Sequence, residues 1–377
     1  MQFKVNSTEL EKALTKVFPA VPTKTPVETL SSFLIEIKDG VLTVFATDLE
    51  MAAKSQINVV ADSDFKALIQ ARKLYDTVRS LNNVTLIFEV MDNNRLKLLW
   101  DKGEFIIGYY PEADFPELPT FFTENDPNVL HSINMDGNTL SDVIYRTSFA
   151  ISDEDFRPAL KGLLFEFSEE GLRFVSTDGH KLVNLLLPEY AVENAQKYIV
   201  PGDTLNVLSK NLGEHEVKIA FRQNSIAFVM DNFSLTSRLI EGNFPDYKSV
   251  IPLENEYTLV LEPKTLLTSL RRILLISRDT LKRVKISLKE GEEITLFSQD
   301  YDIGDESFES IPAEYQGEEM EIGFNGDYLI QVVQHLSDKE KILFKIHSPS
   351  KAVLILPAEK EDNSELIMLL MPVRLNV

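Results

Sequence analysis

Cysteine is absent from the chain, so no disulfide staples the fold and no CxxC motif holds a metal or runs redox chemistry. No stretch approaches eighteen consecutive apolar residues, and no N-terminal segment joins a basic flank to an apolar run. A membrane span and a secretory leader are not expected, and a cytoplasmic setting is. Glycine is sparse, 15 of 377 residues, and none falls in a GxxxxGK(S/T) phosphate loop or a GxSxG nucleophile elbow. The five histidines, His131, His180, His215, His335 and His347, show neither HExxH nor any other metal-ligand spacing. Acidic runs at 289–294 and 359–365 lack the glycine-centred pattern of a calcium loop. Neither catalysis nor a cofactor is therefore expected. Basic residues are in deficit as well: 38 against 59 acidic ones, a formal charge of −21, argue against a protein that simply coats nucleic acid or anionic membrane.

What the chain does have is repetition. An ATD triplet at 46–48 returns as STD at 176–178 and as SQD at 298–300. Helical segments recur at similar offsets. Leu10, Leu14, Val17 and Phe18 share one apolar face, as do Leu140, Val143 and Ile144, and Leu266, Leu270, Ile273 and Leu274. A second amphipathic run ends at Leu81, at Leu212 and at Leu336, each followed by a β-type run such as VTLIFEV, VKIAFRQ or ILFKIHS. The motifs DFPELP, NFPDYK and MPVRL close the three units. Four independent features at common spacing define three copies, 1–126, 127–253 and 254–377, that together fill the chain. Two amphipathic helices and about eight short strands per copy predict an α+β fold, the helices packed on antiparallel sheets that each offer one apolar face.

The repeat also separates two roles within STDGHKL, Ser176 to Leu182. The shared aspartate reads as a turn residue that bonds its own backbone at a strand end. No histidine follows it in the other copies, where Leu49-Glu50 and Tyr301-Asp302 stand in place of Gly179-His180. A hydrolase built on Asp178 and His180 would need a nucleophile beside them, and none is evident. Charge placement is more informative. The segments 8–18, 71–81, 139–149, 203–212, 264–276 and 327–336 hold ten basic and six acidic residues, a net +4 that leaves −25 for the rest. Most of these cations fall off the apolar faces, which predicts a positive helix-lined surface on an acidic body.

The motifs ATDLE (46–50), DFP (114–116), STDGHKL (176–182), EGNFPDYKSVIP (241–252) and MPVRL (371–375), in this order and spacing, resemble the bacterial DNA polymerase III β subunits, the sliding clamps, over the whole length. The resemblance implies three DNA-clamp domains per chain, dimerising head to tail into a closed six-domain ring around duplex DNA, which it would hold by topology and without sequence preference. It implies a non-catalytic processivity factor that tethers the replicative polymerase. The implied partners are the polymerase III α subunit, the clamp loader δ subunit, and other motif-bearing proteins such as translesion polymerases, mismatch repair factors and ligase. Carried over residue by residue, a pocket for Gln-Leu-x-Leu-Phe-like peptides would comprise Arg157, Leu160, Thr177, Gly179, His180, Lys181, Leu182, Pro245, Val250, Leu369, Leu370, Met371, Pro372, Val373 and Arg374. The DNA-facing cations would be Lys12, Lys16, Lys24, Arg72, Lys73, Arg79, Arg146, Lys210, Arg271 and Arg272. The homodimer interface would pair Phe105 and Ile107 with Leu275 and Ile276 of a second copy. Lys181, Pro158-Ala159 and the Asn376-Val377 extension depart from the family pattern and bear on peptide preference. A monomeric scaffold that binds protein motifs but not DNA is the reading from another class, and a 43 kDa species in solution would mark it.

Overall fold

The computed structural model describes every residue except 125, 155, 278–281, 301–303, 362 and 376–377, so Tyr301 and the Asn376-Val377 extension lie outside the described residues. Among the described residues six α-helices form: α1 (Ser7–Val17), α2 (Ala71–Arg79), α3 (Gly137–Thr147), α4 (Gly202–Ser209), α5 (Pro263–Ile273) and α6 (Gly326–Gln334). All six lie within three residues of the spans expected from apolar periodicity. The helix starts show why. Asn6 precedes α1 in extended conformation, and its side-chain oxygen accepts from the N–H groups of Thr8 and Glu9 at 2.9 and 3.3 Å. Asp136 does the same for Thr139 at α3, and Asn325 for Tyr328 at α6. Each side chain satisfies a backbone donor that the first turn leaves open. The apolar faces are buried: Leu10, Ala13, Leu14 and Val17 of α1, and Leu266, Leu267, Leu270 and Ile273 of α5. Burying each such leucine is worth roughly 1.5–3 kcal/mol.

The chain divides into two compact units, Met1–Ser141 with Asp203–Leu239, and Asp142–Gly202 with Ile240–Val377. The division cuts through the second sequence repeat, and the sheets explain it. The first unit carries an eight-stranded sheet in the order 131–136, 216–221, 225–230, 233–238, 51–58, 41–47, 32–38, 65–70. Its two halves come from different repeats and join where Phe233–Arg238 pairs antiparallel with Met51–Asn58, Leu235 opposite Ala53. The second unit carries a nine-stranded sheet, 196–201, 162–168, 171–177, 181–187, 365–370, 353–357, 342–346, 257–261, 314–316. Here the join is Lys181–Leu187 with Glu365–Leu370, Leu182 opposite Leu369. Each unit also has a smaller sheet: five strands ending at Gly103–Gly108 in the first, and four ending at Glu306–Ile311 in the second. Among the described residues, these two terminal strands have a partner on one side alone.

Candidate functional site

The turn after strand Gly171–Thr177 is built by its own short side chains. Asp178 Oδ1 accepts from the backbone N–H groups of His180 and Lys181 at 2.8 and 2.9 Å. The Thr177 hydroxyl donates to the Lys181 carbonyl at 2.7 Å and accepts from Gly179 N–H at 3.0 Å. The equivalent turn in the first repeat is the same bond for bond: Asp48 accepts from Glu50 and Met51, and Thr47 bonds the Met51 carbonyl and the Leu49 N–H. Asp178 is thus a turn residue, as its recurrence predicts. Its second oxygen takes the Lys181 ammonium. The His180 ring instead stacks on Tyr328 of α6, centroids 5.7 Å apart, and its carbonyl accepts from Met371 N–H at 2.9 Å.

Strand alternation then sorts the residues around the turn. Leu182 and Leu369, opposite one another, face a buried cluster with Leu164, Val175, Ile199, Tyr247 and Leu354, bordered by Ala159, Phe244 and Ile251. Leu160, beside Ala159, is buried as well. Pro245 and Val250 lie exposed at the ends of the turn that carries Tyr247. Met371 is 40% exposed where the strand 365–370 ends, and Pro372 and Val373 follow half-buried, Val373 donating to the Gly323 carbonyl at 2.8 Å. Arg374 is exposed. A methyl group added to Gly179 would stand 3.3 Å from an Arg157 guanidinium nitrogen, which places Arg157 beside the turn. Of the expected pocket residues, Leu182 and Leu369 belong to this buried cluster.

Two members of the expected pocket turn away from the cluster. Lys181 and Leu370 also sit opposite one another, one residue out of phase with Leu182 and Leu369, so a two-residue period turns them to the other face of the sheet. Both are buried there, and the Lys181 ammonium lies 4.4 Å from the centre of the Tyr328 ring. The position that distinguishes this chain by carrying lysine is therefore an internal cation held by Asp178 and Tyr328. Tyr328 itself escaped sequence reading, because it is reached from an element about 150 residues away.

Of the expected DNA-facing cations, Lys12, Lys24, Arg72, Lys73, Arg79, Lys210, Arg271 and Arg272 are exposed and Lys16 is half-exposed. Arg72 packs over the Phe18 ring at 5.5 Å, and Arg272 pairs with Glu309. Arg146 does not belong with them. It is 6% exposed and bonds Asp142 at 2.7 Å, Asp338 at 2.8 Å and the His335 carbonyl at 3.1 Å. Burial would push the Asp338 carboxyl up, but bonds from Arg146 and Lys339 outweigh it and hold the group below its ordinary value. Among the expected interface residues, Phe105 is 39% exposed, Leu275 is exposed and Ile276 is half-buried. Ile107 is 5% exposed and packs inside its own sheet, so it offers little surface to a second copy, while its neighbour Ile106 is exposed.

Sequence profiles of the N-terminal, central and C-terminal domains of the DNA polymerase III beta subunit match residues 1–119, 134–246 and 248–373. A beta sliding clamp of Pseudomonas putida is 30% identical over 381 residues that cover all of both chains. The chain belongs to the beta sliding clamp family. Its fold is three tandem clamp domains, and its place is in DNA replication, as a clamp without catalysis of its own. Among solved structures, the sliding clamp of Bacillus subtilis superposes over all of both chains with a TM-score of 0.91 at 25% identity. A clamp of Bartonella birtlesii bound to griselimycin does so at 0.90 and 27%. No helix among the clamp's described residues is long and apolar enough to cross a membrane.

Proposed function

We propose that two copies close head to tail into a six-domain ring that encircles duplex DNA and tethers the replicative polymerase. One observation carries this reading. Both internal joins use the same pair of strands: the one following the ATD or STD turn meets the last strand of the next repeat, 51–58 with 233–238 and 181–187 with 365–370. The equivalent strands at the chain's two outer repeats, Gly103–Gly108 and Glu306–Ile311, are the ones left as edges, bearing Phe105 and the 77% exposed Phe308. An exposed edge with unpaired N–H and C=O groups invites a strand from another chain, and a heterologous contact that closes gives a ring. Leu275 and Ile276 belong with the second of these edges, and the domain boundaries fall near 127 and 254.

A ring retained by topology needs no tight phosphate contacts, which would have to break at every step and would weaken steeply with salt. The exposed helix cations centre the duplex, and the acidic remainder keeps DNA off the outside. The Leu182 and Leu369 surface, with Met371 and Val250 at its rim, takes short apolar peptides from the polymerase α subunit, the clamp loader and repair factors. The setting is the cytoplasm, where replication takes place. Loaded protein on nicked circular DNA, then linearised, tests the ring: it should be retained on circles and lost from ends. Equal retention on both would overturn it, as would a 43 kDa species throughout the working concentration range.

A further inference from the structure

Strand Gly162–Ser168 presents Leu164 and Glu166 to the same side, so a carboxylate stands on the face that otherwise builds the apolar cluster under the candidate peptide surface. Glu166 is buried, and a buried charge on an apolar face costs several kcal/mol unless it is fully bonded. The bonds are there. The Tyr247 hydroxyl donates to Glu166 Oε2, and Lys197 reaches Oε1 at 2.9 Å from the neighbouring strand. Burial would push the Glu166 carboxyl up, but these two bonds hold it below its ordinary value, while burial and the carboxylate together push the Tyr247 phenol up. The hydroxyl therefore stays protonated and donates.

Tyr247 opens the short helical turn Tyr247–Val250, and its own N–H bonds the Pro245 carbonyl at 2.8 Å. Its ring packs in the cluster with Leu182 and Leu369, and the turn it heads carries Pro245 at one end and Val250 at the other. We propose that Tyr247 and Glu166 are positioning residues, whose buried hydrogen bond fixes residues 244–250 as a preformed wall of the peptide pocket. A ligand that meets a preformed wall does not have to order it, and the saving appears as affinity. The inference rests on the pocket reading of the surface, so its test separates the two.

Five variants serve: Tyr247→Phe, Glu166→Leu, the two combined, Glu166→Gln and, as a report on the pocket alone, Met371→Ala. Hydrogen exchange across 244–251 reads the turn, a labelled Gln-Leu-x-Leu-Phe peptide reads the pocket, and thermal melts read the fold. Expected are faster exchange at 244–251 and roughly tenfold weaker peptide binding, about 1.4 kcal/mol, in Tyr247→Phe and in Glu166→Leu. The double variant should be no weaker than either single one, because both remove one interaction. Glu166→Gln keeps an acceptor and should bind within about twofold of wild type. Glu166→Leu leaves the buried Tyr247 hydroxyl without an acceptor, so its melting temperature should fall, and exchange and binding are read well below that melt. Wild-type exchange in Tyr247→Phe and in Glu166→Leu overturns the inference whatever the peptide does. Wild-type peptide affinity in those variants with weakened Met371→Ala also overturns it and leaves the pocket standing. Unchanged affinity in all five removes the pocket reading and the inference with it.

Discussion

Lys16, Arg146 and Arg272 occupy one position in three copies of the same helix, the residue before the last of α1, α3 and α5, and they meet three environments. Lys16 is half-exposed, and its backbone carbonyl accepts from the Asn211 side chain at 3.1 Å. Arg272 reaches over the surface to Glu309. Arg146 is buried among Asp142, Asp338 and the His335 carbonyl. One turn earlier on the helix the three copies carry Lys12, Asp142 and Thr268. An aspartate at that place, four residues before the arginine, draws the guanidinium inward, whereas a lysine repels a cation and a threonine holds none. A shared backbone position fixes where a side chain starts, and its neighbours decide whether its charge serves solvent or the fold.

The comparison can be broken most forcefully at Arg146. Arg146→Ala removes the buried cation that bridges Asp142 and Asp338, leaves Asp338 with Lys339 alone and should cost on the order of 1.5–3 kcal/mol, read as a lower midpoint in urea unfolding; a wild-type midpoint would return Arg146 to the exposed set. Reversing Arg72, Arg79 and Arg271 to glutamate should do the opposite, leaving the melt in place while weakening retention on circular DNA on the order of tenfold at moderate salt. Unchanged retention across several salt concentrations would remove these residues from the DNA path.

A subtler effect concerns pH. Burial holds the His335 imidazole below its ordinary value of 6.5, Arg146 adds to the depression, and the bond to the Gln331 carbonyl opposes it. The ring stacks on Phe149 with centroids 4.0 Å apart. A depressed folded-state value means that the unfolded chain binds the proton first. The stability is therefore complete above about pH 6.5 and is lost as pH falls through the folded value. Asp338 and Glu361, depressed from 3.8 and 4.5, add a second loss at lower pH by the same logic. His335→Phe should flatten the first step and leave the second, seen in melting temperature against pH. The smallest effect is expected at Arg272→Ala, where an exposed pair in high dielectric should leave the urea midpoint unmoved.

Much of the fold was legible because helical period and capping act over a few residues. Leu10, Leu14 and Val17 mark α1 without reference to anything distant, and Asp178 bonds within its own turn. The site was legible only in part. Arg146 looked like an exposed helix cation because Asp338, its second partner, lies 192 positions away. Tyr328 carries no local mark of its stacking on His180. The two-residue period that turns Lys181 and Leu370 away from Leu182 and Leu369 was present in the sequence, but a motif carried over as a block hides it. Ile107 differs for another reason: it shares its strand phase with the 39% exposed Phe105 yet is 5% exposed itself, so phase alone does not decide which of them meets solvent.

The join between strands 181–187 and 365–370 has a consequence in time. Lys181 and Leu370 are neighbours in the sheet yet 189 positions apart in the chain. At roughly 5–20 residues per second, a ribosome that has just made the first of these strands needs on the order of ten to forty seconds to deliver the second. Throughout that interval Lys181–Leu187 presents an open, apolar edge, and every nascent chain on the same message presents another. The order of synthesis thus leaves the strand that shapes the candidate pocket as the longest-waiting edge in its sheet, and slowing translation between the two strands should raise aggregation before it lowers the stability of any chain that is completed.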